Sequence, residues 1–357
     1  MDLSIRTFRE EDAAAVNALL DWAWFPPRSQ AGWRWLLAGC GDEPGWILED
    51  DQGVCGFAGN FRQRLHAGRE TLHAATGHSL VVLPRARGGS RRILEVYRDQ
   101  AGGMSTFHLN ANALSAPIYR KFGYVPFPPG AADAKLVWHT RRSDLVIEKL
   151  AWKLTPDGSK RSREWFAGRR YRVASSSLRR TPEIRVLEGA DALDAMERLF
   201  RAAVDEGQVL AARDAAALAW RLSDPDATLA PLLLGWFDGE DLKAWTMAQV
   251  SKTCQLDAPT LEIIDLLSLD EVRARALPAL VEALRRLCGP MGCARLRLNL
   301  VTEDVLPLLA QTDGAVVRRR HAHGHARLRE AEALRTWRPT PFDGDQGFTQ
   351  RPAPVRA

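Results

Sequence analysis

Apolar and polar positions follow two periods along this chain, and the two periods alternate in a fixed order. Ile5-Arg6-Thr7 has the two-residue alternation of a strand, and Glu11-Asp12 then opens an Ala/Leu-rich stretch with helical spacing. Residues 46–59 alternate around Asp50-Asp51-Gln52-Gly53, which predicts a hairpin. Residues 77–84 read Gly-His-Ser-Leu-Val-Val-Leu-Pro, an apolar strand closed by Pro84, and lead into a helix whose buried face is Ile93, Leu94 and Tyr97. A short strand over 106–110 and a helix within 112–124 complete the series.

The same order returns roughly 180–190 residues later. Ile184-Arg185-Val186 with Ala190-Asp191 matches the first strand and helix, and Ala219-Trp220-Arg221-Leu222 matches Trp33-Arg34-Trp35-Leu36. Residues 235–247, turning at Asp238-Gly239-Glu240-Asp241, match the hairpin, while Leu296-Arg297-Leu298-Asn299 and a helix over 304–311 match the last pair. Such ordered matches predict a duplicated αβ domain, with units over 1–142 and 182–337, a linker or arm over 143–181 and a tail over 338–357. The tail, rich in turn residues, has the composition to wrap back over either unit.

Composition narrows the function classes. A chain of 357 residues with 46% hydrophobic content is long enough for two cores. No apolar run approaches the ~18–20 residues of a membrane span, and the N-terminal Met-Asp-Leu-Ser-Ile-Arg-Thr lacks a signal-peptide core, so the cytoplasm is the expected compartment. The net charge is +5, but 42 of the 49 basic residues are Arg, the other seven Lys, and they are spread along the chain. A nucleic-acid partner is therefore not expected, although local clusters lie at 85–92, 160–172 and 318–320. The five cysteines lack the spacing of a zinc site and are expected to be free thiols. His321, His323 and His325 alternate on one strand, where ligands ~6.6 Å apart converge poorly on one ion, and no metal is expected.

The chemistry-bearing residues gather in the first unit. Arg85-Ala86-Arg87-Gly88-Gly89-Ser90 joins the 77–84 strand to a helix N-terminus, where free amides and close backbone approach make a diphosphate site. Further on comes Asn112-Ala-Leu-Ser-Ala-Pro-Ile-Tyr119-Arg-Lys-Phe-Gly-Tyr124, with Tyr119 two helical turns beyond Asn112 and on the same face of a continuous helix. Pro117 should kink that helix or confine its regular pairing to the second half.

Over residues 1–142 this order resembles the GCN5-related N-acetyltransferase (GNAT) family of acyl-CoA N-acyltransferases. The family turn is Arg/Gln-x-x-Gly-x-Gly/Ala. Arg85-x-x-Gly88-x-Ser90 fits it with Ser as the last small residue, whereas a register beginning at Arg87 puts Ser90 and Arg92 where glycines belong.

The resemblance implies an α/β fold, with a mixed, largely antiparallel sheet flanked by helices, present twice in tandem. It implies acetyl-CoA, or another acyl-CoA, as cosubstrate and no metal. The diphosphate would lie on Arg85, Arg87, Gly88, Gly89 and Ser90, the main chain of Val81, Val82 and Leu83 would pair with the pantetheine arm, and Asn112 would add a cofactor contact. Tyr119 would protonate the departing thiolate. His78 is the candidate base for the amine, with His73 and His108 as further strand imidazoles.

The second unit has Asp270-Glu271 at the corresponding helix start and Leu308 in place of Tyr119, so its cofactor site is expected to be degenerate. The expected activity is acetyl transfer by direct attack of a small-molecule amine, such as a sugar amine or amino acid. The alternatives are a FemX-like aminoacyltransferase in surface-polymer assembly and a non-catalytic acyl-CoA-binding protein. The acceptor is expected near Phe25-Pro26-Pro27, Trp33, Trp35 and residues 126–132. A monomer with an internal pseudo-dimer, or a homodimer, is expected.

Overall fold

The computed structural model describes residues 3–100, 103–155, 171–178 and 181–355. The first half contributes β1 (Ser4–Thr7), β2 (Gly45–Asp50), β3 (Gly53–Ala67), β4 (Glu70–Val82), β5 (Ser105–His108), β6 (Val125–Pro126) and β7 (Ala134–His139). The second contributes β8 (Ile184–Val186), β9 (Leu210–Ala211), β10 (Leu232–Asp238), β11 (Asp241–Lys252), β12 (Thr260–Ser268), β13 (Arg295–Leu298), β14 (Ala315–Arg319), β15 (His325–Arg327) and β16 (Arg351–Pro352). The first-half helices are α1 (Ala13–Trp22), α2 (Gln30–Cys40), α3 (Gly89–Arg98), α4 (Ala116–Lys121) and α5 (Arg142–Leu154). Helices Ala190–Asp205, Ala215–Leu222, Arg273–Cys288 and Leu306–Ala310 take the corresponding places in the second half.

Two mixed, mostly antiparallel sheets result; the first takes β9 and β15 from the second half, and the second takes β7 from the first. The first runs β1-β2-β3-β4-β5-β15-β6, with β9 on β3; the second runs β14-β7-β13-β12-β11-β10-β8, with β16 on β11. Thus β7, near the end of the first repeat, lies between β13 and β14, and β15 lies between β5 and β6.

Local chemistry sets the elements. α2 starts at Ser29, whose hydroxyl accepts from the Gly32 amide at 2.9 Å, and helix Ala215–Leu222 starts at Asp214, which accepts from Ala217 at 2.8 Å. In helix Arg273–Cys288, Leu277, Leu280, Val281, Leu284 and Leu287 are all buried against the second sheet, the stripe that the spacing predicts.

The segment expected as a linker includes α5, with Tyr171 and Val173 buried beyond it; residues 156–170 and 179–180 lie outside the described residues. The tail is part of the core: Pro341, Phe342, Asp343, Asp345 and Gln346 are buried. All five cysteines are free and buried. Among the described residues no helix is long and apolar enough to cross a membrane.

Candidate active site

The parallel pair β4 and β5 is joined only over Ala74–Thr76 and Ser105–Phe107, and beyond that point the strands part. Side chains brace the fork. The Tyr97 hydroxyl of α3 lies 2.9 Å from the Ala75 carbonyl and 2.7 Å from that of Phe107, and His108 donates from Nδ1 to the Gly77 carbonyl at 2.9 Å. That bond makes Nδ1 a donor and fixes the orientation of the His108 ring.

β4 also carries a bulge. The β3–β4 register slips between Phe57 and Gly59, opposite Ser79 and Leu80, and Ser79 holds the left-handed φ of 51°. After the bulge the Leu83 amide donates to the Cys55 carbonyl at 2.8 Å. Amides alternate sides along a strand, so Val81 also faces β3 while Val82 faces the fork, with Leu80 two residues before it on the same side. Of the expected strand residues only Val82 therefore has its amide aimed into the fork. Leu80 was missed, because a bulge at Ser79 has no signature in the sequence.

The turn after β4 is built as a cradle. Ala86 donates to the Leu83 carbonyl at 3.0 Å and Gly89 to that of Ala86 at 2.9 Å, leaving the Arg87, Gly88 and Ser90 amides without a backbone acceptor among the described residues. Gly88 has φ +84° and nothing within 4 Å of where a Cβ would stand, whereas a Cβ on Gly89 would meet Leu48 Cδ2 at 2.3 Å. Gly88 thus opens the cradle outward and Gly89 lets the helix press on β2. The two arginines separate here: Arg85 is held on Asp50 of the hairpin, Nε to Oδ2 at 2.8 Å, and lowers the Asp50 carboxyl below its ordinary value. Arg87 is exposed, and among the described residues no ion pair holds it.

Asn112 and Tyr119 do not share a helix face, because α4 begins only at Ala116 with Pro117 in its first turn. Asn112 instead caps the turn ahead of α4, its Oδ1 accepting from the Leu114 and Ser115 amides, both at 2.9 Å. Tyr119 is buried, stacked on His108 at 5.0 Å and 14° and on His325 of β15 at 6.0 Å and 22°, with Tyr124 edge-on at 5.4 Å. Burial, then the nearby Tyr124 and Asp345, holds its phenol well above the ordinary value, so it stays protonated. Asp345 is a further group that sequence reasoning missed. Burial lifts its carboxyl, His108 and Lys135 act on it favourably, and Oδ1 has no hydrogen-bond partner among the described residues.

His78 differs from the expectation of a general base. Its ring fills the space over Gly59, where a Cβ would stand 2.0 Å from Cε1, and packs edge-on against Phe57 at 6.2 Å. Only 3% of the residue is exposed, and burial, with Arg28 and His108 adding to it, pushes the imidazole down to about 3. A base that weak holds a proton at neutral pH in roughly one molecule in 10⁴. The expected acceptor aromatics are likewise structural: Trp33 is a core residue and Trp35 stacks on Trp220.

The matching fork in the second sheet is closed. β12 and β13 pair over Thr260–Glu262 and Arg295–Arg297, and beyond them Arg338, Pro339 and Thr340 of the tail fill the wedge, leaving about 40 Å³. Arg213 binds Asp265 at 2.6 Å and Asp343 at 3.0 Å with no exposure of any of the three side chains, and Thr340 donates to Asp265 at 2.6 Å. Among the described residues no cluster of His, Cys, Asp and Glu is placed to hold a metal ion.

No family model matches the sequence, and no curated protein resembles it significantly. Solved structures do. A GCN5-related N-acetyltransferase from Kribbella flavida aligns over 93% of this chain and 72% of its own at 18% identity, with a TM-score of 0.54. Eis1 from Mycobacterium abscessus aligns over 94% and 75% at 19% identity and 0.51. The N-myristoyltransferase of Saccharomyces cerevisiae, solved with myristoyl-CoA, aligns over 83% and 72% at 10% identity and 0.53. With two mixed, mostly antiparallel sheets flanked by helices, the chain has the tandem two-domain fold of the GCN5-related N-acetyltransferases.

Proposed function

We propose that the protein is an acyl-CoA-dependent N-acyltransferase that moves an acetyl group from acetyl-CoA to the amine of a small molecule. The unit over 1–142 is its catalytic half and that over 182–337 its degenerate partner. The observation that carries this is the fork between β4 and β5, with free amides at its turn and a buried phenol beside it, against a second fork lined by Arg338, Pro339 and Thr340 of the tail.

Acetyl-CoA supplies the activated thioester. The Arg87, Gly88 and Ser90 amides at the start of α3, with Arg87 near them, are the groups available to a diphosphate. The Leu80 and Val82 amides are aimed where a carbonyl oxygen would gather charge. As the amine nitrogen bonds to the acyl carbon and the carbon–sulfur bond breaks, Tyr119 gives its proton to sulfur. The amine's proton goes to Asp345, a buried carboxyl made more basic by its surroundings, in place of His78. Asp345 acts electrostatically on Tyr119 as well, which suits return of that proton to the phenolate.

The aminoacyl-tRNA alternative needs a basic groove across both halves, and it is weakened by arginines such as Arg85, Arg28 and Arg213 being engaged by carboxylates. The test is Tyr119→Phe. The ring still packs on His108, so acetyl-CoA affinity should hold while turnover with an amine panel falls by roughly 10²–10⁴. Undiminished turnover removes Tyr119 from the mechanism.

A further inference from the structure

A cavity of about 210 Å³ lies on the second sheet where β7, β13 and β14 meet, lined by Lys135, Arg295, Arg297, Arg318, Arg320 and His321 among others. Its charges do not balance. Arg295 is paired with Glu148 and Arg297 with the fully buried Glu262, and the one lining carboxylate, Asp133, is taken by Arg319 at 2.6 Å. Lys135, Arg318 and Arg320 keep no carboxylate within ion-pair distance among the described residues; Arg318 reaches the His139 ring, at 3.2 Å. A half-buried ammonium without a counter-ion is costly, and burial lowers Lys135 to about 8, which still leaves it mostly charged at neutral pH. Cations gathered around a concave space are a site for an anion.

The wall of the cavity is hydrogen-bonded to the segment that leads into α4. His321 on its wall donates from Nε2 to the Ala111 carbonyl at 3.1 Å, and the Ala111 amide donates to the His323 carbonyl at 2.7 Å, one residue before Asn112. Asp345 interacts electrostatically with Lys135 on one side and with His108 and Tyr119 on the other.

We propose that this cavity is the subsite for an anionic group, a carboxylate or phosphate, carried by the acceptor amine. The proposal rests on the N-acyl transfer reading above and narrows it: the acceptor is an amine such as an amino acid or a phosphorylated amino sugar, and its anion anchors on Lys135, Arg318 and Arg320 while its nitrogen faces the fork.

Matched acceptors test it: an amino acid beside its decarboxylated amine, and an amino sugar phosphate beside the free amino sugar. The wild-type protein should favour the anionic member of a pair by at least about tenfold in kcat/KM, and Lys135→Met and the exposed Arg320→Gln should each erode that ratio, mainly through KM. Inorganic phosphate should compete with the anionic acceptor. Equal rates within the pairs, or a ratio unchanged in both variants, overturns the proposal. Phosphate that binds without competing assigns the cavity to a free anion instead and overturns it too. If no amine is acetylated, the transfer reading has failed, and calorimetry with phosphate and malonate still decides the site. Binding to the wild type that is lost in Lys135→Met retains an anion site, and absence of binding removes it.

Discussion

Trp35 and Trp220 hold each other across the two halves of the molecule: each indole N–H donates to the other residue's backbone carbonyl, at 2.7 and 2.9 Å, with the rings stacked 4.6 Å apart at 11°. The contact is reciprocal, as an isologous dimer contact would be, yet it lies within one chain. Gly39 makes it possible, since a Cβ there would stand 2.0 Å from Trp220 Cζ2. With β7 and β15 exchanged between the sheets, the halves are joined by backbone pairing as well as by side chains.

Dependence of each half on the other follows. A fragment ending at residue 142 lacks β15, which separates β5 from β6, and exposes β7, whose Leu136 and Trp138 are fully buried in the second sheet. It should be insoluble or molten, while co-expression with residues 171–357 should restore a cooperative transition. In the full chain, Trp220→Ala should cost about 3 kcal/mol, and the double variant with Trp35→Ala should cost less than the two single losses combined. Chemical denaturation measures both; an independently folded 1–142 fragment would refute the interdependence.

The cradle makes a separable prediction. Gly88→Val puts a branched side chain at φ +84° into the space beside the free amides, and should abolish acetyl-CoA binding while costing about 1–2 kcal/mol of stability. Gly68→Val, at φ +60° with nothing within 4 Å, imposes similar backbone strain at the β3–β4 turn and serves as the control. Calorimetry should find acetyl-CoA bound by the control and not by Gly88→Val.

What was legible in the sequence had local causes. The hairpins, the stripe of helix Arg273–Cys288 and the repeat were readable because periodicity and turn residues act over a few positions. The Gly88-Gly89 turn and Tyr119 were readable as a motif. His325 and Asp345 were not, because they arrive from more than 200 residues away through strand exchange and a tail that packs inward. The choice between Arg85 and Arg87 turned on Asp50, a hairpin residue whose reach depends on tertiary placement. The burial of His78 depended on Gly59 across the ladder, which a single strand's pattern does not reveal.

The filled second fork should be a stability element with no part in turnover. Arg213, Asp265 and Asp343 form a fully buried ion triad, and removing the arginine leaves two carboxylates facing one another without water. Arg213→Met should therefore destabilise by about 3–5 kcal/mol, whereas replacing all three with apolar residues of similar volume should recover much of the loss. Equal stability of Arg213→Met and the parent in urea would show that the triad is not held as described.

Three buried imidazoles set the behaviour in acid. Burial pushes His78 and His323 down to about 3 and His325 to about 4, each from an ordinary value of 6.5. Their folded-state values are depressed, so their contribution is fully present above pH 6.5 and is lost as pH falls toward those values, because the unfolded chain takes up protons that the folded chain refuses. Near pH 5 the unfolded state holds about three more protons, so stability should fall by about 4 kcal/mol per pH unit from this source. The thermal midpoint should thus be level near pH 7–8 and drop steeply below about pH 6. His323→Gln removes one titrating ring and should lessen the slope by about a third even if it lowers stability overall. A midpoint that stays flat to pH 4.5 would mean that these rings reach water and can charge in place.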